Sequence, residues 1–270
     1  MDRPEPDITL DVVPRNPGQF FACCGVLEMA TLLWPGNEQN GWRDPEGWFD
    51  GSTFHITSYS QTNDEPLPAI VRHLVEADTL VTRTEDKSFE DDKIAPLTFL
   101  PADPRSLRLD WWLKSESSQE ANTALKLWSG QQKPSVIFAD LHTALRALGG
   151  RADRMLLRER VPMTGRFGFD PGPAWDALDV GFSPNEQGIA VLTSPAAEIL
   201  AAVGIQGFRP RRVPKLRSFA YATWTAPLSA AVARAAAAGS LSGRQFQFSV
   251  TSRGKYKAFD FAEEIEEKQS

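Results

Sequence analysis

The chain has 270 residues, enough to bury one large core, and a formal charge of −6. Its two cysteines are adjacent, Cys23 and Cys24, which excludes a disulfide framework and a CxxC redox pair and predicts a reducing, cytoplasmic compartment. No apolar run reaches transmembrane length, the proline-broken N-terminus is no signal peptide, and the charge is divided: residues 1–119 hold 10 Lys/Arg against 21 Asp/Glu, residues 120–259 hold 18 against 9, and residues 260–270 hold 1 against 5.

Residues 8–13 alternate weakly and predict an opening strand. Asn16 is an N-cap, Pro17 suits the first helical position, and Gln19 stands where a capping-box partner belongs. The helix from Phe20 to Trp34 carries one charge, Glu28, and is apolar on several faces, so it belongs at the centre of the fold until Pro35-Gly36 ends it. Residues 48–57 predict a hairpin and residues 67–77 a helix. The acidic stretch 82–93 lacks the ligand spacing and glycine turn of a calcium loop. Residues 107–113 read as a strand that sends Trp111 and Trp112 to opposite faces, leaving one available to a partner. Helices are predicted over 120–128 and 135–148.

Two stretches carry concentrated positive charge. Arg151, Arg154, Arg158, Arg160 and Arg166 precede Phe167 and Phe169, an interleaving of guanidinium and ring that suits single-stranded nucleic acid and equally suits a core flanked by surface arginines. Further on, Ser194 and Pro195 open a buried helix in which Glu198 is the only charge, and Gly204 and Gly207 close it. The chain then runs through Phe208, Arg209, Arg211, Arg212, Lys215 and Arg217 without an acid, held extended by Pro210 and Pro214. Both helices share a pattern, Asn-Pro or Ser-Pro, an apolar stretch, then Gly-Val or Gly-Ile, which suggests a pseudo-repeat. A strand over 218–224, an alanine-rich helix over 227–238 and a cleanly alternating strand over 244–252 follow. Arg253, Lys255, Tyr256 and Lys257 make a small basic turn, and the acidic residues 260–267 read as a helix or frayed tail.

The chain shows no GxSxG, Walker, GxGxxG or HExxH pattern, and no motif that calls for a cofactor or a metal. His55, His73 and His142 fall on separate predicted elements. Asp170, Asp176, Asp179 and Glu186 lie among prolines and glycines, where caps and turns use them better than acid-base chemistry does.

Four blocks taken together, NPGQFFACCGVLEMATLLWP, LDWWLK with LKLWSGQQKP, FGFDPGPAWDALDVGFSPNEQG and SPAAEILAAVGIQGFRP, resemble the Csb proteins of CRISPR type I-U (also called I-G) interference modules. The resemblance covers most of residues 8–217 and is specific by arrangement, since none of the blocks is a catalytic signature. It implies a subunit or accessory of a guide-RNA surveillance complex, with other CRISPR-associated subunits as partners, and a ferredoxin-like (RAMP-related) fold. In such complexes proteins hold backbones while base pairing reads sequence. The glycine-rich loop of many such RNA-binding subunits is not evident here.

The resulting expectation is one α+β domain over 1–259, an antiparallel sheet backed by helices in two ferredoxin-like halves, with an acidic tail over 260–270. Its expected function is non-catalytic binding of guide RNA or target DNA. Arg209, Arg211, Arg212, Lys215 and Arg217 are expected on phosphates and Phe208 on a base, with Arg166, Phe167, Arg253, Lys255, Tyr256 and Lys257 in a second rank. Two other readings compete: an adaptor that holds neighbouring subunits through a tryptophan-rich surface, and a guide-processing ribonuclease with a histidine or carboxylate active site.

Overall fold

The computed structural model describes residues 3–265 except 38, 40, 61–63, 83–93, 103–104, 115–121, 129–131, 150–151, 173–189, 215–217 and 254–255, and gives the backbone alone at 102, 253 and 256. In chain order the elements are β1 (Ile8–Asp11), α1 (Pro17–Leu33), β2 (Glu46–Asp50), β3 (Thr53–Thr57), α2 (Pro66–Glu76), β4 (Asp78–Val81), β5 (Leu97–Ala102), β6 (Arg105–Leu109) and α3 (Pro134–Ala147). There follow β7 (Val161–Met163), β8 (Val191–Thr193), α4 (Pro195–Gly207), β9 (Arg211–Val213), β10 (Ser218–Ala222), β11 (Leu228–Ser229), α5 (Ala230–Ala237), β12 (Gln245–Arg253), β13 (Tyr256–Phe259) and β14 (Glu263–Ile265). The fold is α+β, with every strand pair antiparallel, and no helix among the described residues is long and apolar enough to cross a membrane.

Helices α1 and α4 form the centre. All residues of α1 from Pro17 to Ala30 and of α4 from Pro195 to Ile205 are buried. Both start as their sequences predict: Asn16 Oδ1 accepts the Gln19 amide N–H at 3.1 Å, and Ser194 Oγ accepts that of Ala197 at 3.3 Å. Gln19 departs from a capping box, because its side chain reaches back to the Val13 N–H at 2.8 Å. The helices cross backbone to backbone. A Cβ at Gly25 would lie 2.0 Å from the Leu200 carbonyl oxygen, and one at Gly204 would lie 1.9 Å from that of Phe21, so only hydrogen fits at either position. The single charge of α1, Glu28, is taken up by a fork from Arg234 of α5, whose Nη2 donates to both carboxylate oxygens at 2.8 Å.

Two main sheets flank this pair. The first has the order β1-β3-β2-β11, and its first three strands form the split β-α-β unit with which a ferredoxin-like sheet begins. A ferredoxin-like sheet would add its fourth strand beside β1, but here β11 lies beside β2. The edge of β1 is already used, since the Asp11 N–H donates to the Arg154 carbonyl at 2.9 Å and the two side chains pair at 3.0 Å. The second sheet has the order β13-β12-β10-β9, with β14 also on β12. The element order β-α-β-β thus occurs twice, around α1 and around α4, but β8 pairs with β7 and not with the sheet of β9 and β10. A third sheet, β4-β5-β6, carries α2 and α3.

Three expectations are corrected. Trp111 and Trp112 do not lie on a strand: β6 ends at Leu109, the chain turns, and both indoles are fully buried with ring centroids 4.6 Å apart at 89°. Residues 122–128 are not helical, because Asn122 bridges Leu113 and the Thr123 N–H donates to the Trp112 carbonyl at 2.7 Å. The acidic end carries a strand, Glu263–Ile265, where a helix or frayed tail is expected. Ala262 is buried, β14 pairs with Gln245–Gln247, and Arg244 grips Glu264 with two bonds of 2.7 Å.

Candidate nucleic-acid interface

The second sheet ends in a cleft of ≈ 760 Å³ lined by Lys114, Lys126, Arg212, Lys257, Trp128 and Phe219, together with residues 122–125. No acidic residue stands among the described residues that line it. One wall is the sheet. The register sets Arg212 opposite Phe219, Phe219 opposite Phe248, and Lys257 opposite Ser252, so Arg212, Phe219 and Lys257 share one face. The other wall is the segment that carries Lys114 and Lys126, fastened by the Leu113–Asn122 bridge and by the Thr123 hydroxyl donating to the Trp111 carbonyl at 2.9 Å.

A buried anion holds the floor of this cleft. Glu198, wholly buried in α4, accepts the amide N–H groups of Phe167 and Gly168 on one oxygen and of Phe169 and Asp170 on the other, at 2.8 to 3.0 Å. Burial pushes its carboxyl up, and the amide bonds and Arg166 pull it down. The loop so gathered turns at Gly168, whose φ of 91° is left-handed, and the Gly168 carbonyl accepts the Phe259 N–H of β13 at 3.1 Å. Phe167 then packs edge-on against Trp111 at 5.1 Å and Trp128 at 5.6 Å. The polar loop therefore props an aromatic cluster, and the cluster props Lys126.

Lys126 is the central cation. Its Nζ donates to the Trp128 carbonyl at 3.3 Å and lies 5.0 Å from the centroid of that ring. Burial, and then the neighbouring Lys257 ammonium, hold it below the ordinary lysine value. Trp128 is only 5% exposed and Phe219 only 8%, so the rings form a floor and offer no open face on which a base stacks.

The structure divides the residues singled out from the sequence. Arg212 and Lys257, from different ranks, come together in the cleft. Arg211 pairs with Ala220 and points to the other face of the sheet. Arg209 is ion-paired with Asp110 at 3.1 Å, and Asp110 is also held by Gln206 and Arg108. Phe208 is no stacking group for a base, because it caps α4 and lies buried with its ring parallel to Trp224. Arg166 and Phe167 are likewise inside, one beside Glu198 and the other in the tryptophan cluster. Arg253 and Tyr256 are paired at the ends of β12 and β13, while Lys215, Arg217 and Lys255 lie outside the described residues.

Trp111, Trp112 and Trp128 are buried, whereas Trp42 is exposed. His55 is held between the Thr9 and Thr53 hydroxyls, His73 Nδ1 meets the Pro101 carbonyl, and His142 is buried against Phe99 and Phe138, so the three occupy separate environments. Asp170 is committed to Asn16 and Arg160, while Asp176, Asp179, Glu186 and most of the acidic stretch 82–93 lie outside the described residues. Sequence reasoning did not single out Lys114, Trp128 or Phe219, and reached Lys126 only as the start of a basic region running to Lys257. The available signal was the symmetry of the two blocks, with Lys114 two residues after Trp112 and Lys126 two residues before Trp128. No protein-family model matches the chain, and neither does any curated protein or solved structure.

Proposed function

We propose that this chain is a non-catalytic nucleic-acid-binding subunit of a CRISPR type I-U/I-G effector complex, holding guide RNA or target DNA for antiviral defence. The observation that supports binding is the cleft around which Lys114, Lys126, Arg212 and Lys257 meet, with no acid among its described lining residues. Lysine and arginine without a neighbouring carboxylate leave their charge for an outside anion, and a phosphate backbone supplies one at every nucleotide. Membership in the complex rests on the sequence resemblance.

The binding part is tested with a fluorescent single-stranded oligonucleotide titrated over a salt series. Four phosphate contacts on a single strand give a log-log salt slope of about −3, and each of Lys114→Ala, Lys126→Ala, Arg212→Ala and Lys257→Ala flattens it by about 0.7. A slope left unchanged by the combined replacement removes the cleft from the function. Membership is tested by co-expression with the products of neighbouring genes, with copurified guide-length RNA as the expected result.

A further inference from the structure

We infer that the cleft receives the end of a nucleic-acid strand, with a terminal phosphomonoester seated between Lys126 and Lys257. The inference rests on the proposed nucleic-acid binding and specifies what that site takes. Three observations carry it. First, Lys126 and Lys257 line the same cleft with no carboxylate among its described lining residues, and the Lys257 ammonium is near enough to disfavour the charge on Lys126. Two adjacent ammoniums are best neutralised by a dianion. A phosphomonoester carries about −1.5 to −2 at neutral pH, whereas one internal phosphodiester carries a single charge. Second, the volume of ≈ 760 Å³ lies in the range of small-molecule sites and accommodates a nucleotide with its phosphate. Third, Trp128 and Phe219, the two rings among the described lining residues, are sunk in the floor and do not present the open faces that hold the interior bases of a strand. Lys114 and Arg212 complete the rim, where the next phosphate of the strand leaves the site.

The same chemistry is present on a free nucleoside monophosphate, and the experiment separates the two sources. One oligonucleotide sequence is compared in four forms: 5′-phosphorylated, 3′-phosphorylated, hydroxyl-ended and circularised. A nucleoside monophosphate is added as competitor. The expected result is that one phosphorylated end binds about tenfold more tightly than the hydroxyl-ended form, that the circle binds no better than the hydroxyl-ended form, and that Lys126→Gln or Lys257→Gln abolishes the difference. Thermal melts of both variants, expected near the unsubstituted transition, show that the lost preference is not lost folding. Equal binding of all four forms overturns the inference and leaves nucleic-acid binding standing. Competition by the monophosphate at the affinity of the oligonucleotide also overturns it, by assigning the site to free nucleotides. Binding of none of the forms at low salt overturns the proposed function itself.

Discussion

Glu198 shows how one side chain organises its surroundings, because its two oxygens satisfy four consecutive amide donors of residues 167–170. Glu198→Gln keeps the volume but turns an amide NH₂ toward two of those donors, and it is expected to cost about 3–5 kcal/mol in chemical denaturation, as breaking a buried charged interaction does. His142 offers a pH signature. Burial first, and then Arg146, lower it from its ordinary value to about 4, and its Nε2 has no partner among the described residues. A histidine lowered in the folded state binds fewer protons there than in the unfolded chain, so stability falls as pH drops from about 6.5 to 4. The loss, discounted for the solvent that reaches the ring, is about 2 kcal/mol. Melting curves across that range are expected to lose much of their slope in His142→Leu. Lys126 works in the opposite sense for ligand and fold. As pH rises through its lowered pKa the folded chain gains stability relative to the unfolded one, while the cleft loses a cation. Binding is therefore expected to weaken at alkaline pH before Lys257→Gln loses its residual affinity, a difference that titration at fixed ionic strength reads directly.

At the level of elements, the Gly25–Gly204 crossing gives an expectation whose sign separates two effects. Alanine is the better helix former by about 1 kcal/mol, so Gly25→Ala or Gly204→Ala would stabilise either helix alone. The added Cβ would instead meet a carbonyl oxygen at about 2 Å, and the helices have to part. A net loss of about 2–4 kcal/mol is expected by denaturant titration, and a gain would show that the crossing is loose. Much at this scale was legible in the sequence, because Asn16-Pro17 and Ser194-Pro195 mark helix starts and the spacing of Phe246, Phe248 and Val250 marks a strand. The site was less legible for a physical reason. An arginine and a phenylalanine have the same letters whether they serve a buried carboxylate and a tryptophan cluster, as Arg166 and Phe167 do, or a ligand. The basic run also failed as a unit, because strand alternation sends Arg211 and Arg212 to opposite faces and Asp110, 99 residues away, claims Arg209. Only the meeting of distant segments distinguishes Lys126 and Lys257 from other surface lysines.

Across the whole molecule, the two β-α-β-β segments share one buried centre, and Lys114, Lys126, Arg212 and Lys257, from well-separated stretches of the chain, meet in one cleft at the second sheet. The helices at that centre are far apart in the chain, and the separation matters before any ligand arrives. On the ribosome, α1 emerges with nearly every face apolar and has to wait for residue 204 before its partner exists. At about 5–20 residues per second that interval is roughly 10–35 s, long compared with hydrophobic collapse. The nascent chain is therefore expected to be a client for a holding chaperone until α4 has emerged: ribosome-bound chains stalled before α4 are expected to crosslink to such a chaperone while chains stalled well beyond β13 are released from it.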